Sequence, residues 1–73
     1  MSDALIDSLA TAVAARPDDL PLRRHLAELL VAAGRATEAI GHAAMLLSRH
    51  PGDLAARRLM AAALAAADPG PSR

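Results

Sequence analysis

Two prolines in this chain, Pro17 and Pro51, lie 34 residues apart and stand in the same local phrase. Each follows a basic residue and is followed, one residue later, by an aspartate and a leucine, and Gly34 lies midway between them. Proline stops a helix, and glycine favours the left-handed conformation that ends one. A 34-residue period built in this way is typical of helix pairs that stack on copies of themselves.

Hydrophobic periodicity predicts four helices, and no segment shows the alternation of a strand. The first is expected over residues 3–15, the third over 36–49 and the fourth over 54–67. The second follows an N-cap at Asp18 or Asp19 and ends at Gly34. The expected buried residues are Leu5, Ile6, Leu9, Ala12 and Val13 in the first helix, Leu22, Leu26, Leu29, Leu30 and Ala33 in the second, Ala39, Ile40, Ala43, Leu46 and Leu47 in the third, and Leu54, Met60, Ala61 and Leu64 in the fourth.

The connections predict how these helices pack. Only Gly34 and Arg35 separate the second and third helices, which permits a tight antiparallel hairpin. We therefore expect an all-α fold, in which four antiparallel helices stack as a short right-handed solenoid over residues 1–68. Residues 69–73 are interpreted as a linker or disordered tail. Gly41, inside the third helix, indicates either a close helix approach or simple tolerance.

Composition argues against several classes of protein. There is no cysteine and no aromatic residue, and the formal net charge is zero. Thiolate metal sites and aromatic stacking are therefore excluded, and neither a nucleic-acid nor a membrane partner is expected. The acidic N-terminus does not resemble a signal peptide, so we expect a cytoplasmic location. Abundant alanine, with arginine and no lysine, is typical of a GC-rich bacterial genome.

Residues 20–53 resemble a tetratricopeptide repeat. The likeness rests on the large–small pair Leu26-Ala27, on Leu30, Ala39 and Pro51, and on the junction from Gly34 to Ile40. Arg23 and Ala43 depart from the family pattern, because larger apolar side chains are common at both places. The resemblance implies one complete repeat flanked by two half-repeats. It also implies a non-catalytic protein–protein interaction module. The style is loosely similar to N-terminal segments of some actinobacterial AAA-type ATPases.

Two arginine pairs repeat with the same 34-residue period, and one member of each, Arg24 and Arg58, is the candidate partner-binding residue. In the family that the chain resembles, these positions face a concave groove, where guanidinium groups could bind an acidic peptide. His25 and Glu28 are further groove candidates. The alternative is surface ion pairing, of Arg24 with Glu28 and of Arg57 with Asp53.

Metal and catalytic sites are not expected. His25 with Glu28, and Glu38 with His42, are the only helix-face pairs of metal-ligand type that we considered, and they are too few for a di-metal site. We interpret His42 as a surface residue. No serine or threonine has an evident base and orienting partner, so no enzyme activity and no cofactor are predicted.

The alanine-rich fourth helix suggests an alternative function. A solenoid needs a polar surface at its open end, and this helix offers little. Ala62, Leu64 and Ala66 are therefore candidates for a self-association surface, which would make the protein a homodimer.

Overall fold

The computed structural model describes residues 3–68, and these form four helices. They are α1 (Asp3–Ala15), α2 (Leu20–Ala32), α3 (Ala36–Arg49) and α4 (Leu54–Ala67). The prediction of an all-α fold is confirmed, and the bounds of α1, α3 and α4 agree with the periodicity. The linker or tail predicted over 69–73 lies outside the described residues.

The repeated proline phrase caps a helix in both places. The Asp19 carboxylate accepts a hydrogen bond from the backbone N–H of Leu22 at 3.1 Å, and the Asp53 carboxylate accepts from Ala55 at 3.0 Å. Each aspartate also donates its own backbone N–H to the carbonyl of the residue just before the proline, at 3.0 Å in both turns. A capped start and a closed turn are thus produced by the same four residues twice.

The turn between α2 and α3 is a Schellman motif centred on Gly34. The backbone N–H of Arg35 donates to Leu30 at 2.8 Å, and that of Gly34 donates to Val31 at 3.1 Å. Gly34 has a φ of 80°, which a side chain disfavours. The Arg35 side chain holds Glu38 at 2.6 Å and approaches Asp3 at 3.5 Å, so it links the hairpin to α1.

The two glycines of the hairpin should respond in opposite ways to alanine. A Cβ added at Gly34 or at Gly41 meets nothing within 4 Å, so only backbone preference decides the result. Gly34→Ala should lose about 1 kcal/mol, because its positive φ strains any other residue. Gly41→Ala should gain about 0.5–1 kcal/mol, because alanine favours a helix interior. Chemical denaturation measures both, and equal effects would contradict the assignment. The close helix approach considered for Gly41 is wrong.

A narrow core runs through the stack. Its buried residues are Ile6 and Val13 of α1, Leu26, Ala27 and Leu30 of α2, Ala36, Ala39, Ala43 and Leu46 of α3, and Ala56, Leu59 and Ala63 of α4. α2 packs between α1 and α3, α3 packs on α4, and α2 also touches α4. The alanines in this set let the helices approach closely, because each presents only a methyl group.

The predicted buried face of α4 is wrong. Leu54 is 55% exposed, Leu64 is 53% exposed, Ala61 is exposed and Met60 is only half-buried. The residues that enter the core are Ala56, Leu59 and Ala63 instead. The expected face corresponds to the side of α2 that packs on α3, and among residues 3–68 no helix follows α4 to cover it. Leu5 at the other end is also exposed, at 48%, although the periodicity predicts its burial.

Candidate functional site

The first helices of the two successive units, α2 and α4, lie side by side and form a groove. A depression of about 400 Å³ opens between them. It is lined by Glu28, Val31, Ala55, Arg58, Leu59 and Ala62. The floor is therefore apolar, and one cation and one anion stand at its rim.

A second depression, of about 250 Å³, lies further toward the start of α2. It is lined by Leu20, Pro21, Arg24, Leu46, His50 and Asp53. Because Arg24 and Glu28 are one helical turn apart on α2, the two depressions are neighbours along the same helix. The two candidate arginines thus line adjacent depressions rather than a single one. His25 lines neither depression.

The surface ion pairs expected for the arginines do not form. Within residues 3–68, Arg24, Arg57 and Arg58 have no carboxylate oxygen within 4.0 Å. The Glu28 carboxylate instead lies 4.0 Å from Nδ1 of His25. Asp53 is occupied with capping α4. The guanidinium groups of the groove are therefore not neutralised by the described part of the chain.

The comparison with protein families agrees with this arrangement of helix pairs. A sequence model of the tetratricopeptide repeat matches residues 3–68. The chain belongs to the tetratricopeptide repeat family. No curated protein and no solved structure matches it significantly. Tetratricopeptide repeats generally serve as non-catalytic scaffolds that bind other proteins or peptides, and their first helices line the groove seen here between α2 and α4.

One polar contact inside the tetratricopeptide repeat was not predicted. Nη1 of Arg23 lies 3.2 Å from Nδ1 of His42, across the interface of α2 and α3, and Nη2 donates to the Pro17 carbonyl at 3.2 Å. Both side chains are half-buried, so the interpretation of His42 as a surface residue is wrong. The departure of Arg23 from the family pattern was the available signal, since a large side chain at that place fills space between the helices.

This contact makes His42 a pH-sensitive residue. Burial, and then the positive charge of Arg23, lower the pKa of His42 below its usual value of 6.5, while Glu38 opposes the shift. A guanidinium can donate to Nδ1 only when that nitrogen is unprotonated, so the contact requires neutral histidine. The unfolded chain therefore binds protons more readily than the folded protein as the pH falls through 6.5.

We expect this contribution to stability to be present above pH 6.5 and to be lost as the pH falls below it. His42→Gln keeps an acceptor for Arg23 but does not titrate, so it should lose less stability between about pH 7.5 and 5.5. Denaturation at both pH values measures the difference. His50→Gln, at an exposed position, is the control and should behave as the wild type does. The same loss in wild type and His42→Gln would contradict the assignment.

The other candidate residues are spread over separate surfaces. Ala62 lines the groove, whereas Leu64 lies on the outer side of α4 and Ala66 is exposed near its end. The three self-association candidates therefore do not form a single patch. Among residues 3–68, no group of three His, Asp or Glu side chains is placed to hold a metal ion. None of the helices in that range is long and apolar enough to cross a membrane.

Proposed function

We propose that this tetratricopeptide domain binds an extended acidic segment of another protein in the groove between α2 and α4. The observation that carries the proposal is the pair of arginines, Arg24 and Arg58, which stand at adjacent depressions without a carboxylate within 4.0 Å in the described chain. Cations left unpaired at the edge of a concave surface suit an anionic partner.

The groove supplies two kinds of contact. Val31, Leu59 and Ala62 provide an apolar floor for a small aliphatic side chain, and the guanidinium of Arg58 provides a bidentate donor for a carboxylate beside it. Glu28 lies between the two arginines along the groove, so a peptide with acidic residues at both ends of its contact, and none at its centre, fits best.

A display library of random peptides, selected on the immobilised domain, tests this proposal. The enriched peptides should carry Asp or Glu next to an aliphatic residue. In titrations with one enriched peptide, Arg24→Glu with Arg58→Glu should raise the Kd by tenfold or more, since charge-assisted hydrogen bonds contribute about 1.5–3 kcal/mol each. Arg57→Glu is the matched control, because Arg57 is exposed beside Arg58 but lines neither depression.

Two results would contradict the proposal. One is the enrichment of peptides without acidic residues. The other is an equal effect of Arg57→Glu and the double variant, which would show that only net charge matters. Salt titration is a further check, because binding through the rim arginines should weaken as ionic strength rises.

The biological setting belongs to the same proposal. The likeness to N-terminal segments of actinobacterial AAA-type ATPases supports a recruiting role, in which the bound protein is delivered to chemistry that takes place elsewhere. The cysteine-free and lysine-free composition supports the cytoplasm of a bacterium as its location. A second candidate function, self-association, is favoured by the exposure of Leu64.

A further inference from the structure

The large apolar side chains that residues 3–68 leave exposed are concentrated at the two ends of the stack. Leu5 is 48% exposed on α1, and Leu54 and Leu64 are 55% and 53% exposed on α4. The fourth such residue, Met45, lies on α3 away from both ends. α1 packs only on α2, and α4 packs on α3 and the edge of α2, so each terminal helix keeps an open side. Exposed apolar patches at the ends of a repeat stack usually mark a contact surface.

The open side of α4 corresponds to the side of α2 that packs on α3. Met60, Ala61 and Leu64, here called the outer α4 face, lie 34 residues after Leu26, Ala27 and Leu30. In α2 these three residues are at most 2% exposed, whereas Leu64 is 53% exposed. The outer α4 face is therefore a first-helix surface without a second helix against it in the described chain.

The open side of α1 is the other half of the same interface. Leu5, Leu9 and Ala12, here called the outer α1 face, lie 34 residues before Ala39, Ala43 and Leu46. Ala39 and Ala43 are fully buried against α2, whereas Leu5 is 48% exposed and Leu9 is half-buried. α1 is thus a second-helix surface that lacks a first helix.

We propose that the outer α4 face of one copy of this protein binds the outer α1 face of a second copy. The two helices would pair as α2 and α3 pair within each chain, so that two chains together complete another tetratricopeptide repeat. The chemistry of the partner surface is then the one that this fold already uses in its own interior. The proposal concerns the ends of the stack and is independent of the groove between α2 and α4.

Polar side chains at the edge of this contact are compatible with it. Arg57 corresponds to Arg23, and Ser8 corresponds to His42, so the pairing would place a hydroxyl acceptor opposite the guanidinium. Such a contact joins two different surfaces, so each added copy leaves one outer face open at either end. It also involves a single helix pair, which buries less than the roughly 1,600 Å² of a standard interface. We therefore expect weak association that grows beyond a dimer as concentration rises.

Sedimentation equilibrium of the wild type and of two single variants tests the proposal. Leu5→Glu blocks the outer α1 face, and Leu64→Glu blocks the outer α4 face; both positions are about half exposed, so the fold should survive. The wild type should increase in mass with concentration, and each variant alone should remain at the monomer mass of 7.5 kDa. An equimolar mixture should form a heterodimer of about twice that mass, because one pair of intact faces remains.

The mixture separates this pairing from the alternatives. A Leu5→Glu variant that still dimerises would overturn the proposal in favour of pairing between two α4 helices. A wild type that stays monomeric at all concentrations, or a mixture that does so, would overturn it as well. Met45→Glu removes an exposed apolar side chain away from both ends, so it should associate as the wild type does. Circular dichroism confirms that every variant is folded before it is compared.

Discussion

Leu26→Asp is expected to unfold the protein. Leu26 is 1% exposed, at the centre of the packing between α2 and its neighbours, and no cation faces it within the core. Burial of an unpaired carboxylate costs several kcal/mol, which is comparable with the whole stability of a domain of this size. Circular dichroism should show loss of most helical signal at room temperature, with no cooperative thermal transition.

The matched control is the same change at an exposed leucine. Leu64→Asp should cost no more than about 1 kcal/mol, because the carboxylate stays in water and only helix-end electrostatics oppose it. If Leu26→Asp melts within error of the wild type, then the packing register of α2 is incorrect. A comparable loss from both variants would mean that the outer side of α4 is buried in solution.

Ala39→Leu is expected to destabilise the protein by about 1–3 kcal/mol, although it adds apolar surface. Ala39 is fully buried where α3 crosses α2, and Ala27 opposite is fully buried too. Two alanines at this crossing bring the helix backbones close together, so a larger side chain must push them apart or adopt a strained rotamer. Urea denaturation with a two-state fit measures the loss.

Ala44→Leu on the exposed side of the same helix is the control, and should change the free energy of unfolding by less than about 0.5 kcal/mol. If Ala39→Leu is neutral or stabilising, the crossing contains a void that alanine leaves unfilled. Reduced cooperativity in Ala39→Leu alone would instead indicate that α3 has shifted along α2.

The helices themselves could be predicted from the sequence because their determinants are local. Pro17 and Pro51 end the preceding helices, Asp19 and Asp53 cap the following ones, and Gly34 adopts the positive φ that the turn needs. Each of these effects acts within a few residues. The 34-residue period then relates one helix pair to the next, which is why the family could be recognised from a single complete repeat.

The candidate site could be predicted only in part. The period placed Arg24 and Arg58 on corresponding helices, but not in adjacent depressions. The contact between Arg23 and His42 joins two helices across the hairpin, and neither residue reveals the other in the sequence. Ion pairing of Arg24 with Glu28 and of Arg57 with Asp53 was wrong, because Glu28 lies nearer to His25 and Asp53 caps α4.

By itself the sequence determined that this chain forms four helices in paired units, since caps, turns and periodicity are properties of neighbouring residues. The tertiary structure alone decided which side of each terminal helix is buried. Leu5, Leu54 and Leu64 have the spacing of core residues, yet they are exposed because no neighbouring helix covers them in the described chain. Burial is a property of two surfaces in contact, and a repeat pattern specifies one surface without supplying its partner.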